Sequence, residues 1–146
     1  MDDRFRCDCP ITSALDVVGD KWTLVIIKQM LLEGRRTFKD FIESDEAIAT
    51  NILSARLKML EEFKMVRKEK LPNNKKTNIY ILTEKGLGLT PMIIELVLWS
   101  DGHLREFNEE ILPPMQLIVN DKEKAIDTLK ENYKQANWSA KQESSS

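Results

Sequence analysis

The chain has 146 residues, 42% of them apolar and 32% charged, with 24 acidic against 22 basic side chains and a formal net charge of −2. At this length roughly two-thirds of the unfolded surface is buried on folding, so one core forms without disulfides or a structural metal. The longest apolar runs, such as 24–27 and 96–99, have four residues, against the roughly 20 that a membrane helix needs, and the near-neutral total argues against a wholly basic nucleic-acid coat.

Apolar residues recur at helical spacing over 11–18, with Pro10 suited to the first helical position and Gly19 to the end. Asp20 is placed to cap a second helix over 21–32. Its residues Trp22, Leu24, Val25, Ile26, Met30 and Leu31 leave so little polar face that it belongs at the centre of the core. Thr37 suits the N-cap of a short helix over 38–43, with Phe38, Phe41 and Ile42 facing inward. After a turn at 44–47, a helix from about 49 to 63 carries Ile52, Leu53, Leu57 and Leu60 on one stripe. Its other face reads Thr50, Asn51, Ser54, Ala55 and Lys58.

The period then changes. Residues 65–71 and 77–83 flank Pro72-Asn73-Asn74-Lys75-Lys76, a turn-rich basic tip, which together predict a β-hairpin. Beyond Thr83-Glu84 the chain returns to helix, where Pro91 either interrupts or restarts it. Ile93, Leu96, Val97, Leu104, Phe107 and Ile111 continue as an apolar stripe that Pro113-Pro114 closes. A final amphipathic helix spans about 122–138, and a polar, disordered tail is expected at 139–146.

This order predicts a mainly α fold with a small β-hairpin: a winged helix-turn-helix domain over 1–138. The helix-turn-helix lies at about 37–63, the wing at about 65–83 and the C-terminal helices at about 84–138. In such a fold one helix enters the major groove of DNA while the hairpin grips the neighbouring backbone. Thr50, Asn51 and Ser54 lie near the start of the candidate recognition helix, and the Asn51 amide suits bidentate pairing with adenine. Charge points to the same region. Between residues 54 and 78 there are eight basic side chains (Arg56, Lys58, Lys64, Arg67, Lys68, Lys70, Lys75, Lys76) against three acidic ones, net +5, which leaves −7 for the remainder. Arg56, Lys58, Lys75 and Lys76 are therefore the expected phosphate contacts. Arg35 and Arg36 precede the motif and are placed to clamp phosphate too, or, for Arg36, to brace the fold through a carboxylate.

Several blocks of the sequence carry a family resemblance over residues 7–105. They are Cys9-Pro10-Ile11, then Ala14-Leu15-Asp16-Val17-Val18-Gly19-Asp20-Lys21-Trp22-Thr23-Leu24, and Gly34-Arg35-Arg36-Thr37-Phe38. Further on come Leu53-Ser54, Arg56-Leu57, Tyr80, Leu82-Thr83-Glu84-Lys85-Gly86 and Trp99. Together they resemble the HxlR family of bacterial and archaeal transcription regulators. The resemblance implies a homodimeric DNA-binding regulator with N- and C-terminal dimerisation helices. It also implies, for some members, an oxidant or electrophile response through the cysteine that corresponds to Cys9. This sequence departs from the usual pattern at Asp20, at Lys64 where the turn after the recognition helix usually carries Gly, and at the hairpin tip.

Cys9 sits beside a helix N-terminus with Arg4 and Arg6 nearby in sequence, features that favour thiolate. The alternative is a small residue packing the first helix. Cys7 is a second candidate sensor, and a C-x-C disulfide would be strained, so a bond between protomers or to a small thiol is the form to expect. His103 stands alone, the paired carboxylates Glu61-Glu62 and Glu109-Glu110 diverge on a helix, and no phosphate-cradling glycine loop occurs.

The expected protein is thus not an enzyme, and no metal or cofactor is expected. The expectation is a cytoplasmic homodimer that binds a near-palindromic operator in double-stranded DNA, with no membrane segment and an oxidant or small molecule as effector. The remaining alternatives are a winged-helix protein-interaction module and a regulator switched by a small ligand between the dimer helices.

Overall fold

The computed structural model describes residues 2–71 and 73–144, with side-chain surroundings through 138. Among the described residues the elements follow in the order α1 (Pro10–Val18), α2 (Thr23–Glu33), α3 (Phe38–Ile42), α4 (Thr50–Glu62), β1 (Val66–Leu71), β2 (Asn74–Leu82), α5 (Glu84–Leu87), α6 (Thr90–His103), α7 (Gln116–Asn120) and α8 (Lys122–Ser144).

Local chemistry sets most of the boundaries. Pro10 opens α1. Asp20 caps α2 as expected, accepting from the backbone N–H groups of Trp22 (2.8 Å) and Thr23 (2.9 Å) and from the Thr23 hydroxyl, but the helix begins at Thr23 rather than Lys21. Gly34 ends α2 with φ at 69°, a conformation that costs a glycine least. At α3 the Thr37 hydroxyl accepts from Asp40 N–H (3.0 Å) while the Asp40 carboxylate accepts from Thr37 N–H (3.1 Å), a reciprocal capping box. Pro91 restarts the chain as α6.

The main core joins the buried stripes of α2 (Ile26, Ile27, Met30), α3 (Phe41), α4 (Leu53, Leu57, Leu60) and β2 (Ile79, Ile81, Leu82). A second cluster gathers Ile94 of α6, Ile118 of α7 and Ala125, Ile126 and Leu129 of α8. At Gly86 a Cβ would meet the Met65 carbonyl at 2.2 Å, so this close approach of α5 to the start of the wing requires glycine.

The hairpin is antiparallel, with Val66 opposite Leu82, Lys68 opposite Tyr80 and Lys70 opposite Asn78. Leu71 then pairs with Asn74, so Lys75, Lys76 and Thr77 form an irregularity on β2. The strand therefore begins earlier than the expected residue 77, and the two tip lysines belong to it. The Asn74 side chain closes the bulge by accepting from Lys76 N–H (3.1 Å) and donating to the Thr77 hydroxyl (2.9 Å). Pro72 lies outside the described residues.

Three further expectations change. Phe38 is not turned inward but is 38% exposed. The apolar stripe from Ile93 to Ile111 is not one helix, because α6 stops at His103. Arg105 gathers the turns that follow, pairing with Asp101 (2.6 Å) and donating to the carbonyl of Ile111 (2.7 Å). Helix α8 runs on through Ser144 into the stretch expected as a tail, and residues 145 and 146 lie outside the described ones.

Candidate nucleic-acid interface

Helix α4 buries Leu53, Leu57 and Leu60 against the core, which turns the opposite side of the helix to solvent. Thr50, Asn51, Ser54 and Lys58 are all exposed there. Ala49 precedes the helix and offers no side-chain cap, so its first-turn N–H groups are not satisfied by a capping side chain. Buried Ile48 anchors the approach to the helix, after Ala47 has turned through φ of 54°.

Between α4 and the wing lies a cleft of about 370 Å³, walled by Phe38, Ser54, Leu57, Lys58, Glu61, Lys68 and Tyr80. It brings the recognition-helix residues Ser54 and Lys58 together with Lys68 of β1. Lys68 entered the charge count, but its place beside the helix depends on the cross-strand register with Tyr80. Phe38 reaches this cleft because it is displaced from the core. Tyr80 donates its backbone N–H to the carbonyl of Arg36 (2.7 Å), which ties the segment before α3 to the outer edge of β2. Lys58, Lys68, Lys75 and Lys76 make no ion pair among the described residues.

The arginines behave differently. Arg56 is half-buried and faces Asp20, with Nε 3.5 Å from Oδ1, and its Nη1 lies 3.9 Å from the Met59 sulfur. It braces α4 against the start of α2 instead of joining Lys58. Arg35 pairs with Glu33 (3.1 Å) and donates to the Asp40 carbonyl (2.8 Å). The carboxylate brace thus belongs to Arg35, while Arg36 contributes its backbone, donating N–H to Asp40 (3.0 Å).

The turn leaving α4 is built on Lys64, whose φ is 63°. Met65 N–H reaches back to the carbonyl of Leu60 (2.8 Å), the six-to-one bond of a Schellman ending. Lysine thus takes the left-handed position that glycine would favour, and the backbone turn is made all the same.

Cys9 occupies the N-cap of α1 and is partly exposed, as is Cys7, and both thiols are free. Hydrogen bonds from the Thr12 backbone, then the Thr12 side chain and the Ile11 backbone, hold the Cys9 thiol below its ordinary pKa. The neighbouring arginines are not the cause: Arg4 pairs with Asp2 (2.5 Å) and Arg6 with Asp16 (2.6 Å).

A winged helix whose polar recognition face adjoins a basic cleft defines a DNA-binding protein. The HxlR-like helix-turn-helix family matches residues 17–108, well over half of the chain, and the protein belongs to that family. Its members are DNA-binding transcription regulators and not enzymes. The HTH-type transcriptional regulator YodB of Bacillus subtilis is 36% identical over 64% of this chain and 83% of its own. The quinone-bound structure of YodB is similar with a TM-score of 0.54 and 33% identity, covering 64% of this chain and 99% of YodB. The redox regulator HypR in its reduced form gives a TM-score of 0.59 at 25% identity, over 69% of this chain and 99% of HypR.

Proposed function

We propose that this regulator works as a homodimer that reads a near-palindromic operator, with Thr50, Asn51 and Ser54 at base edges and Lys58, Lys68, Lys75 and Lys76 on phosphates. The observation that carries this reading is the cleft shared by α4 and the wing, where Lys58 and Lys68, which make no ion pair among the described residues, adjoin the exposed polar face of the helix. An overall charge of −2 with +5 on helix and wing directs attraction to this side alone. Such a protein acts on chromosomal DNA in the cytoplasm.

The apolar stripe from Ile93 to Ile111 does not serve as a whole for a dimer surface, since Ile93 is buried in its own protomer. Support comes instead from α1 and α6 together. Ile11 (71% exposed), Leu15 (53%) and Leu96 (48%) line one apolar groove, with exposed Trp99 further along α6. A face of this kind calls for cover. A two-fold operator calls for recognition helices roughly 34 Å apart, one turn of B-DNA.

Cys9 is the proposed sensor. Its lowered thiol pKa at a helix N-terminus suits reaction with electrophiles and oxidants, and YodB is known in a quinone-bound form. The test is fluorescence anisotropy on the DNA upstream of its own gene, before and after oxidant, alongside light scattering. The expected result is dimeric, salt-sensitive binding that oxidant alters in the wild type and not in Cys9→Ser. A folded dimer with no affinity for this DNA at low salt would overturn the operator reading, and a monomeric wild type would overturn the dimer.

A further inference from the structure

Both main-chain groups of Leu82, the last residue of β2, are held by helix α8. Leu82 N–H donates to the Tyr133 hydroxyl (2.9 Å), and the Leu82 carbonyl accepts from Trp138 Nε1 (3.2 Å). Leu82 lies opposite Val66 in the hairpin, and Tyr80, on the same edge, is taken up by Arg36. Side chains of α8 therefore complete a strand edge that would otherwise be left unpaired.

The contact extends to the first strand of the wing. The Arg67 guanidinium lies 5.5 Å from the centre of the Trp138 ring, and Lys134 flanks the same ring at 5.1 Å while pairing with Glu84 (2.5 Å). Trp138 thus docks on the wing of its own chain. The first turns of α8 are fastened elsewhere. Ala125, Ile126 and Leu129 pack with Ile94 of α6, whose other side carries the exposed Leu96 and Trp99. One helix therefore links α6 to the base of the wing.

This helix lies outside the span that the family matches, residues 17–108. YodB and HypR are covered over 99% of their length by 64% and 69% of this chain. Helix α8 thus lies beyond the span that the family shares.

We propose that α8 is a strut that fixes the wing relative to α6, with Tyr133 and Trp138 as positioning residues for the phosphate contacts of the hairpin. The wing is already seated by its buried residues Val66, Ile79, Ile81 and Leu82 and by the Tyr80–Arg36 bond, and α8 adds a second anchor at the end of β2. Losing the strut would let the tip lysines sample positions away from the DNA backbone while leaving α4 in place. The proposal rests on the wing-to-phosphate reading above.

The test uses the full chain with Tyr133→Phe, Trp138→Phe and the double substitution, each preserving an aromatic ring in the core. Amide hydrogen exchange is followed residue by residue, and DNA affinity is measured as a function of salt. The expected result is exchange roughly tenfold faster at Leu82 and along the hairpin, with α2 and α4 unchanged. The slope of log affinity against log salt is expected to fall by up to about 2 in magnitude, matching Lys75→Ala with Lys76→Ala, while preference for operator over a single-base variant is retained. A merely stabilising helix would lower the melting temperature and leave the slope unchanged. Unaltered hairpin exchange in the folded double variant would overturn the strut. So would an unaltered slope where the lysine variant does lower it. If the lysine variant itself leaves the slope unchanged, the phosphate reading has failed and hairpin exchange alone decides the strut.

Discussion

Arg56 of the recognition helix lies against Asp20 at the start of α2, with Nε 3.5 Å from Oδ1, an ion-pair distance without hydrogen-bond geometry. The same carboxylate caps α2 through Trp22 and Thr23. One acidic residue thus sets the beginning of the central helix and the seating of the helix that meets DNA.

Replacing Arg56 by Ala is expected to cost stability more than DNA affinity. The pair is partly exposed, so the loss should be about 0.5–1 kcal/mol, or a few degrees in melting temperature. Lys58→Ala should do the reverse, weakening binding to all sequences without moving the melting temperature. Thermal unfolding and anisotropy on the two variants distinguish these roles.

Asp20→Ala removes a cap and should destabilise by about 1 kcal/mol. Burial raises the Asp20 pKa, but hydrogen bonds from Thr23 and Trp22 and the charge of Arg56 outweigh it, so the folded value lies below the ordinary one. A depressed carboxylate stabilises above its unfolded pKa, about 3.9, and the contribution disappears as pH falls through the folded value. The difference in unfolding free energy between wild type and Asp20→Asn should therefore be constant near neutrality and shrink below about pH 4.

Lys64→Gly should raise stability by about 1 kcal/mol, because glycine adopts the φ of 63° without the Cβ clash that lysine bears. Denaturant unfolding reports the gain. A loss would mean that the lysine side chain contributes more to the turn than its backbone costs.

Asn51→Ala should relax base preference at one operator position, by about 1–3 kcal/mol of discrimination, and leave salt dependence alone. Removing Lys75 and Lys76 together should weaken specific and random DNA alike and lower the salt slope by up to about 2. Equal losses on both DNAs for both changes would contradict this division.

Alkylation of Cys9 should already be fast at pH values where an ordinary cysteine is still protonated, since the N–H groups of Thr12 and Ile11 favour its thiolate. Rate against pH in the Cys7→Ser protein, with Cys9 as the remaining thiol, measures this. Thr12→Val, which deletes one of the donors, should move the inflection upward.

The chemistry of neighbouring residues was enough to predict the order of α1 to α4 and the hairpin, the Thr37 and Asp20 caps, the buried stripe of α4 and the exposed Thr50, Asn51 and Ser54, but not the short helix α7. Each depends on spacing or hydrogen bonding within about one turn, which a sequence displays directly. Tertiary structure decided what reaches across the chain. Arg56 left the phosphate face for Asp20, and Phe38 left the core for the cleft beside Lys68. The stripe beyond α6 broke into turns around Arg105, and Trp138 closed on Leu82, 56 residues away. In each case a side chain able to serve on a surface or in a core was committed by a partner far along the sequence, and periodicity carries no information about such pairings.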